Sequence, residues 1–313
     1  MAPASFLIKP VAPFRLDLTV WALRRRPENV VDRWDGTRYR RVLVLEGRPV
    51  EIAITQIERR RRPLLEITTS GWRLTRERER TLQTVVQRLL GTEIDLRGFY
   101  RIAGQQGKLG ELVRRFRGLK PPRFPSVFES VINAFACQQV SLEVGMLFLN
   151  RLAARYGLIV EKSGEGAHAF PRPEDLAAER PQALRRLGFS RQKARAVSEL
   201  SLAVAEGRFD LESVTGLHED AVLERLYALQ GVGRWSAEYV LLRGLGRLHV
   251  FPGDDVGAQN RIQEYLGLRK APNYETVRRR LAGWSPYAGL IYFHFLLYGL
   301  AQRSYLSPGR SES

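Results

Sequence analysis

The sequence predicts a mainly α-helical fold preceded by a small antiparallel α+β sheet domain. Three observations carry this. Strand signals crowd residues 14–70 and fade from about Thr92 onward. Helical periodicity then recurs, with short Gly-containing joins, from 95 to 303. Within that stretch Leu229-Gln-Gly-Val-Gly-Arg-Trp-Ser-Ala237 reads as two helices joined by a glycine hairpin, and Val250-Phe-Pro-Gly-Asp-Asp-Val256 follows it. The expected division is residues 1–94 for the sheet and its helix, 95–303 for the helical core, and 304–313 for a flexible tail.

The first domain is read from alternation. Tyr39–Glu46 and Pro49–Ile57 carry β-branched and apolar residues about the turn dipeptide Glu46-Gly47. Leu64–Thr69 gives a third strand, and Phe14–Leu23 alternates enough to be a fourth. The Arg59–Arg62 run falls at a hairpin tip, where charge is usually solvated. Thr75–Leu90 is a helix with Leu82, Val85, Val86 and Leu89 on one face.

Beyond it, Gly107–Phe116 and Ser126–Ala136 are helical. Ser141 is placed as the N-cap of a helix over Leu142–Tyr156 that Gly157 ends. Ser163–His168, polar and Gly-containing, reads as a surface loop. Short helices over Glu174–Leu187 stop at Gly188, and Ser190 caps a long helix to Glu206. Its Ala194, Val197, Ser201 and Val204 have the spacing of a packed stripe. Gly289–Ala301 is apolar but short and holds His294, so it reads as a buried helix rather than a membrane span.

Charge narrows the class of partner. The 313 residues carry 50 Lys and Arg against 33 Asp and Glu, a net charge of +17. The isoelectric point near 10.6 favours a polyanion. The excess is spread along the chain rather than gathered in a tail. The single cysteine, Cys137, excludes a disulfide frame and any zinc or iron–sulfur site built on several thiolates. His168, His218, His249 and His294 form no ligand motif, so no metal site is expected. Phe6-Leu7-Ile8 is too short for the apolar core of a signal peptide. A cytoplasmic protein is expected, nucleoid-associated in a bacterium.

The hairpin carries the first chemistry. Ala221–Ala228 and Ser236–Leu245 are its helices, with Gly231-Val232-Gly233 between them. The N–H groups opening the second helix have no helical partners. With the helix dipole they make a phosphate site indifferent to sequence. Val232 would plug the hairpin into the core, and Arg234 adds charge beside it. Asp255 lies 22 residues beyond Gly233, just past Pro252-Gly253.

L-x-G-V-G-x-W-[ST]-A followed by V-F-P-x-x-D resembles the helix-hairpin-helix superfamily of DNA glycosylases with a Gly/Pro-rich loop and an Asp. The branch resembled is the 3-methyladenine DNA glycosylase II type. The resemblance implies a core of two helical subdomains and an amino-terminal sheet domain. It implies a monomer that acts on duplex DNA containing damaged bases. At most a monovalent cation, held by hairpin backbone carbonyls, would serve as cofactor. It assigns catalysis to Asp255, with Gly231, Val232, Gly233, Arg234 and Ser236 on the DNA backbone. Cys137-Gln-Gln-Val-Ser141 matches the loop that enters the minor groove, with Gln139 filling the gap left by an extruded nucleotide. Leu stands there in some members, and a polar wedge stacks less well. Trp235 and Tyr239, i and i+4 on one helix face, fall where the family lines its base pocket. Leu296 replaces a third pocket aromatic, for which Tyr292 or Tyr298 would compensate.

Each residue also has a plainer role open to it. Asp255 can be a helix N-cap, Trp235 and Tyr239 core residues, and Gln138 and Gln139 interhelix polar groups. Bifunctional relatives place Lys where Trp235 stands, and no Lys occurs between Lys193 and Lys270. The expected activity is therefore monofunctional excision of alkylated purines, such as 3-methyladenine and 7-methylguanine, leaving an abasic site. The alternatives are removal of hypoxanthine or uracil, or a helix-hairpin-helix DNA-binding protein without catalysis.

Overall fold

The computed structural model describes residues 4–58, 62–70, 72–162 and 165–306. Its sheet is antiparallel, in the order β1-β5-β4-β3-β2, with β1 (Ala4–Ile8), β2 (Arg33–Trp34), β3 (Arg38–Leu45), β4 (Arg48–Glu58) and β5 (Leu64–Ser70). Alternation fixes the register. Phe6, Ile67, Ile54 and Tyr39 pair across four strands in one buried row. The β3–β4 turn uses Glu46 and Gly47, both at positive φ. Of the Arg59–Arg62 run only Arg62 lies within the described residues, and residues 307–313 of the expected tail lie outside them.

Phe14–Leu23 is not a strand. It forms α1 (Leu16–Arg24), and the sheet's outer strand is β1 instead. The reason is burial on two sides. Leu16, Val20 and Leu23 pack against the sheet, whereas Leu18 and Ala22 pack into the helical half. An element covered on both faces shows a run of apolar residues that mimics a strand. On the sheet's inner face lies α2 (Arg76–Leu90), capped by Thr75 and closed by Gly91 in the left-handed region.

The helical half contains α3 (Arg97–Ala103), α4 (Gly107–Arg115), α5 (Val127–Cys137), α6 (Leu142–Tyr156), α7 (Pro173–Leu176), α8 (Pro181–Arg186) and α9 (Arg191–Ala205). It continues with α10 (Glu219–Tyr227), α11 (Arg234–Arg243), α12 (Val256–Leu266), α13 (Tyr274–Leu281) and α14 (Ala288–Gln302). Ser126, Ser141 and Ser190 each cap their helix by accepting a backbone N–H.

Strands do return after Thr92. Of the stretch read as a surface loop at Ser163–His168, the described residues 165–168 form a strand, β7 (Glu165–His168), which pairs antiparallel with β6 (Ile159–Lys162). Ala167 and Ala169 pack on Val42 of β3, and Val42 bridges to Ala169. Four-residue strands with alanines for packing give little periodicity to read.

Helix α5 is the axis of the molecule: every residue from Val127 to Ala136 is buried. Its core is continuous with the sheet, so that Ile52, Ile67, Val131, Leu149 and Val240 share one cluster. A second cluster gathers around α14, where His294 sits 1% exposed among Phe99 and Phe116.

Burial holds the His294 imidazole neutral, down to about 4, although its Nδ1 meets the Leu290 carbonyl at 2.7 Å. The unfolded chain therefore takes up this proton first as pH falls. Stability from His294 is complete above its ordinary value of 6.5 and declines between there and about 4, by up to about 3 kcal/mol. Urea unfolding should show a lower midpoint at pH 5 than at pH 7, and His294→Phe should narrow that gap. An equal gap in both proteins would assign the acid sensitivity elsewhere.

Candidate active site

The hairpin forms between α10 and α11, each within two residues of its expected bounds. Gly231 has φ +85°, which a side chain resists, and an added Cβ at Gly233 would meet nothing within 4 Å. Val232 packs partly buried on the core. Gly233 opens α11 as its N-cap and supplies no side-chain cap. The first N–H groups of the helix have no helical partner and lie at its positive end.

Asp255 serves two purposes at once. Its Oδ1 accepts from the Ala258 N–H at 2.8 Å and so caps α12. Its Oδ2 accepts from Trp235 Nε1 at 3.1 Å and from the Tyr292 hydroxyl at 2.9 Å. The carboxylate is therefore fixed in rotation, with one oxygen turned to the aromatic side chains. Burial, and then the Asp255 charge, push the Tyr292 hydroxyl well above its usual range, so Tyr292 stays a donor. Asp254 points elsewhere and pairs with Arg234 at 2.6 Å, whose guanidinium lies over Tyr274.

Trp235, Tyr239, Tyr292, Asp255 and Leu296 line a cleft of about 1330 Å³. Trp235 and Tyr239 lie 5.3 Å apart, tilted by 31°. Tyr298 turns away, its ring edge-on to Tyr265 and its hydroxyl donating to Glu264. Tyr292 is thus the aromatic that joins the pair beside Leu296.

The sequence reading missed the cleft's floor. Arg25, left-handed at φ +63° and buried, donates to the Tyr239 hydroxyl at 3.1 Å and to Asn133 Oδ1 at 2.5 Å. The Arg24-Arg25-Arg26 run after an apolar stretch was the available signal, hidden when that stretch was read as a strand. Arg261 reaches the wall across α14 where Gly299 leaves room: a Cβ there would lie 1.8 Å from the Arg261 Cζ. Among the described residues seven Arg and Lys side chains line the cleft against three carboxylates, so its field attracts anions. Lys193 is the one lysine among those lining residues. Its Nζ donates to the Ala136 and Gln138 carbonyls, and burial lowers its pKa.

Gln139 stands exposed at the rim with φ +52°. Gln138, not Gln139, reaches the hairpin: its Nε2 donates to the Gly231 carbonyl at 2.8 Å and to Ser236 Oγ at 2.7 Å. Among the described residues no three His, Cys, Asp or Glu side chains gather as a metal site.

The two duties of Asp255 are separable. Asp255→Ala should cost about 1 kcal/mol for the lost cap, and more for the stranded Trp235 and Tyr292 donors. Asp255→Asn should recover most of the cap. Asp254→Ala, which breaks a partly exposed pair, should cost less than about 1 kcal/mol. Denaturant unfolding of the three variants checks the order, and a larger loss at Asp254 would contradict it.

Residues 132–286 match the family model of the HhH-GPD superfamily base excision DNA repair protein. The chain is 32% identical over 188 residues to DNA-3-methyladenine glycosylase 2 of Escherichia coli, covering 60% of this chain and 63% of that protein. It is 27% identical to DNA-3-methyladenine glycosylase 1 of Schizosaccharomyces pombe, covering 61% and 78%. Against three relatives from Bacillus subtilis and Escherichia coli the chain spans 55% to 66% of their length. The solved 3-methyladenine DNA-glycosylase of Archaeoglobus fulgidus superposes with a TM-score of 0.81 at 26% identity, over 94% of this chain and 98% of that one. A Clostridium acetobutylicum 8-oxoguanine glycosylase/lyase shares the fold at 15% identity, with a TM-score of 0.71 over 98% and 99% of the two chains. Through residues 132–286 the chain belongs to the HhH-GPD superfamily of base excision DNA repair proteins, and it is similar to DNA-3-methyladenine glycosylases.

Proposed function

We propose that this protein is a monofunctional DNA glycosylase that flips alkylated purines out of duplex DNA and hydrolyses their N-glycosidic bond. One observation carries the reading: Asp255 Oδ2, held by Trp235 and Tyr292, at the aromatic cleft beside the Gly231–Gly233 hairpin. The hairpin N–H groups and Arg234 hold phosphates 3′ or 5′ of the lesion without reading bases. Gln139 fills the vacated space in the duplex. The extruded base stacks on Trp235 and Tyr239, whose electron-rich faces suit a cationic alkylated purine.

The C1′–N bond then breaks, with its electron pair leaving on the base, and Asp255 offsets the oxocarbenium charge that develops on the sugar. A water, oriented by the same carboxylate, adds to C1′ and yields its proton to it. The product is free base and an abasic site. Lys193 is tied to two backbone carbonyls and Trp235 occupies the nucleophile position of bifunctional relatives, which supports hydrolysis without strand cleavage. A second reading, removal of an uncharged oxopurine such as hypoxanthine, is favoured by Arg25. Its cation beneath the Tyr239 hydroxyl disfavours a second cation in the cleft.

Mass spectrometry of bases released from methylated DNA tests the activity directly, with 3-methyladenine and 7-methylguanine expected. Asp255→Asn should slow release by about 100-fold or more while DNA affinity stays or rises. Asp254→Asn should keep most activity, and the reverse pattern would move the catalytic role to Asp254. Borohydride should trap no protein–DNA adduct, since a trapped adduct requires an imine. Affinity for undamaged duplex should fall steeply between about 50 and 200 mM salt. Flat binding over that range would remove phosphate anchoring as its basis.

A further inference from the structure

The cleft rim is formed by two segments far apart in sequence, the 138–141 loop after α5 and the hairpin before α11. They are joined by side chains with no place in the chemistry above. Gln138 is half-buried, and both hydrogens of its amide are used, on the Gly231 carbonyl and on Ser236 Oγ. Its own carbonyl accepts from Lys193 Nζ at 2.6 Å, and the Ala136 carbonyl accepts from the same ammonium at 3.2 Å. The last carbonyls of α5 lack helical partners, and a cation there also meets the negative end of the helix. Lys193 therefore fixes the backbone of residue 138 from one side, while the Gln138 amide fixes it to the hairpin from the other. The next residue, Gln139, projects from this anchor in a left-handed conformation uncommon for a side-chain-bearing residue.

We propose that Gln138 and Lys193 are positioning residues that lock the Gln139 loop to the phosphate-binding hairpin, making grip and base extrusion one rigid unit. The inference rests on the glycosylase reading and deepens it. A wedge displaces a stacked nucleotide only if the wedge itself is held against a fixed point on the same duplex. The hairpin, bound to phosphate, is that point, and the Gln138 amide is the link to it. Without the link the loop yields before the base does, although Asp255 and the aromatic cleft are untouched.

The test uses the full chain and compares two duplexes under single turnover. One pairs a 7-methylguanine lesion normally; the other sets it opposite an abasic site, where extrusion meets less resistance. Gln138→Ala and Lys193→Met should slow release from the paired duplex about tenfold or more, and from the second duplex less than about threefold. Lys193→Arg, which also donates to two carbonyls, should restore the paired-duplex rate. In an Asp255→Asn background, 2-aminopurine beside the lesion should brighten less with Gln138→Ala, an extrusion signal independent of catalysis. Equal slowing on both duplexes, or no slowing on either, would overturn the coupling, as would unchanged 2-aminopurine brightening. Failure of the unsubstituted protein to release base from either duplex would instead sink the glycosylase reading, and the coupling with it.

Discussion

One polar stripe on a buried helix governs how the two halves of this molecule meet. Glu129, Asn133 and Cys137 follow one another at i, i+4 and i+8 along α5, whose surroundings are otherwise apolar. Each faces an arginine from the amino-terminal segment. Arg41 of β3 grips both Glu129 oxygens, at 2.6 and 2.5 Å, and reaches Asp32 at 2.6 Å, while Tyr39 donates to the same Asp32. Arg25 meets Asn133 and lies 3.8 Å from the Cys137 sulfur. Burial raises the Glu129 carboxyl above its ordinary value despite the arginine, a measure of how dry the junction is. Such a pair adds little net stability over an apolar one, but removing one partner typically costs about 3–5 kcal/mol. The stripe therefore sets register: slide α5 by a residue and every arginine loses its acceptor. The same helix carries the Gln138 loop at its end, so the alignment of the sheet half reaches the cleft rim.

Asp255 shows how little machinery the site requires. Capping and charge placement use different oxygens of one carboxylate, so that the bond orienting the group also stabilises α12. Trp235 contributes through its indole N–H as well as its face. That N–H is a hydrogen-bond donor that holds the carboxylate still.

What the sequence disclosed was local. The hairpin, the Pro-Gly-Asp-Asp loop, the serine caps and the apolar run of α14 are written within a few turns of chain, and their spacing carries the geometry. That Asp255, Trp235 and Tyr239 share one cleft was legible because motif and helix periodicity place them. What stayed hidden depended on partners distant in sequence. Helix α1 looked like a strand because two cores cover it. The paired strands β6 and β7 are too short to register against their small residues. Arg25 and Gln138 gain meaning only through contacts across 214 and 93 residues. No periodicity encodes those.

Gly299 has a wider meaning than its place in an apolar helix implies. A glycine in mid-helix typically gives up about 1 kcal/mol against alanine, and here the space it leaves is filled by the guanidinium of Arg261. The atom in the way is the far end of a flexible chain, so a methyl group at this position evicts the arginine rather than the helix. Replacing the glycine would then act as a charge deletion in disguise: the fold is retained or even firmer, while one cation withdraws from the cleft wall. Part of the electrostatic field of this protein is thus maintained by the absence of a side chain, and selection for sturdiness alone would erode it.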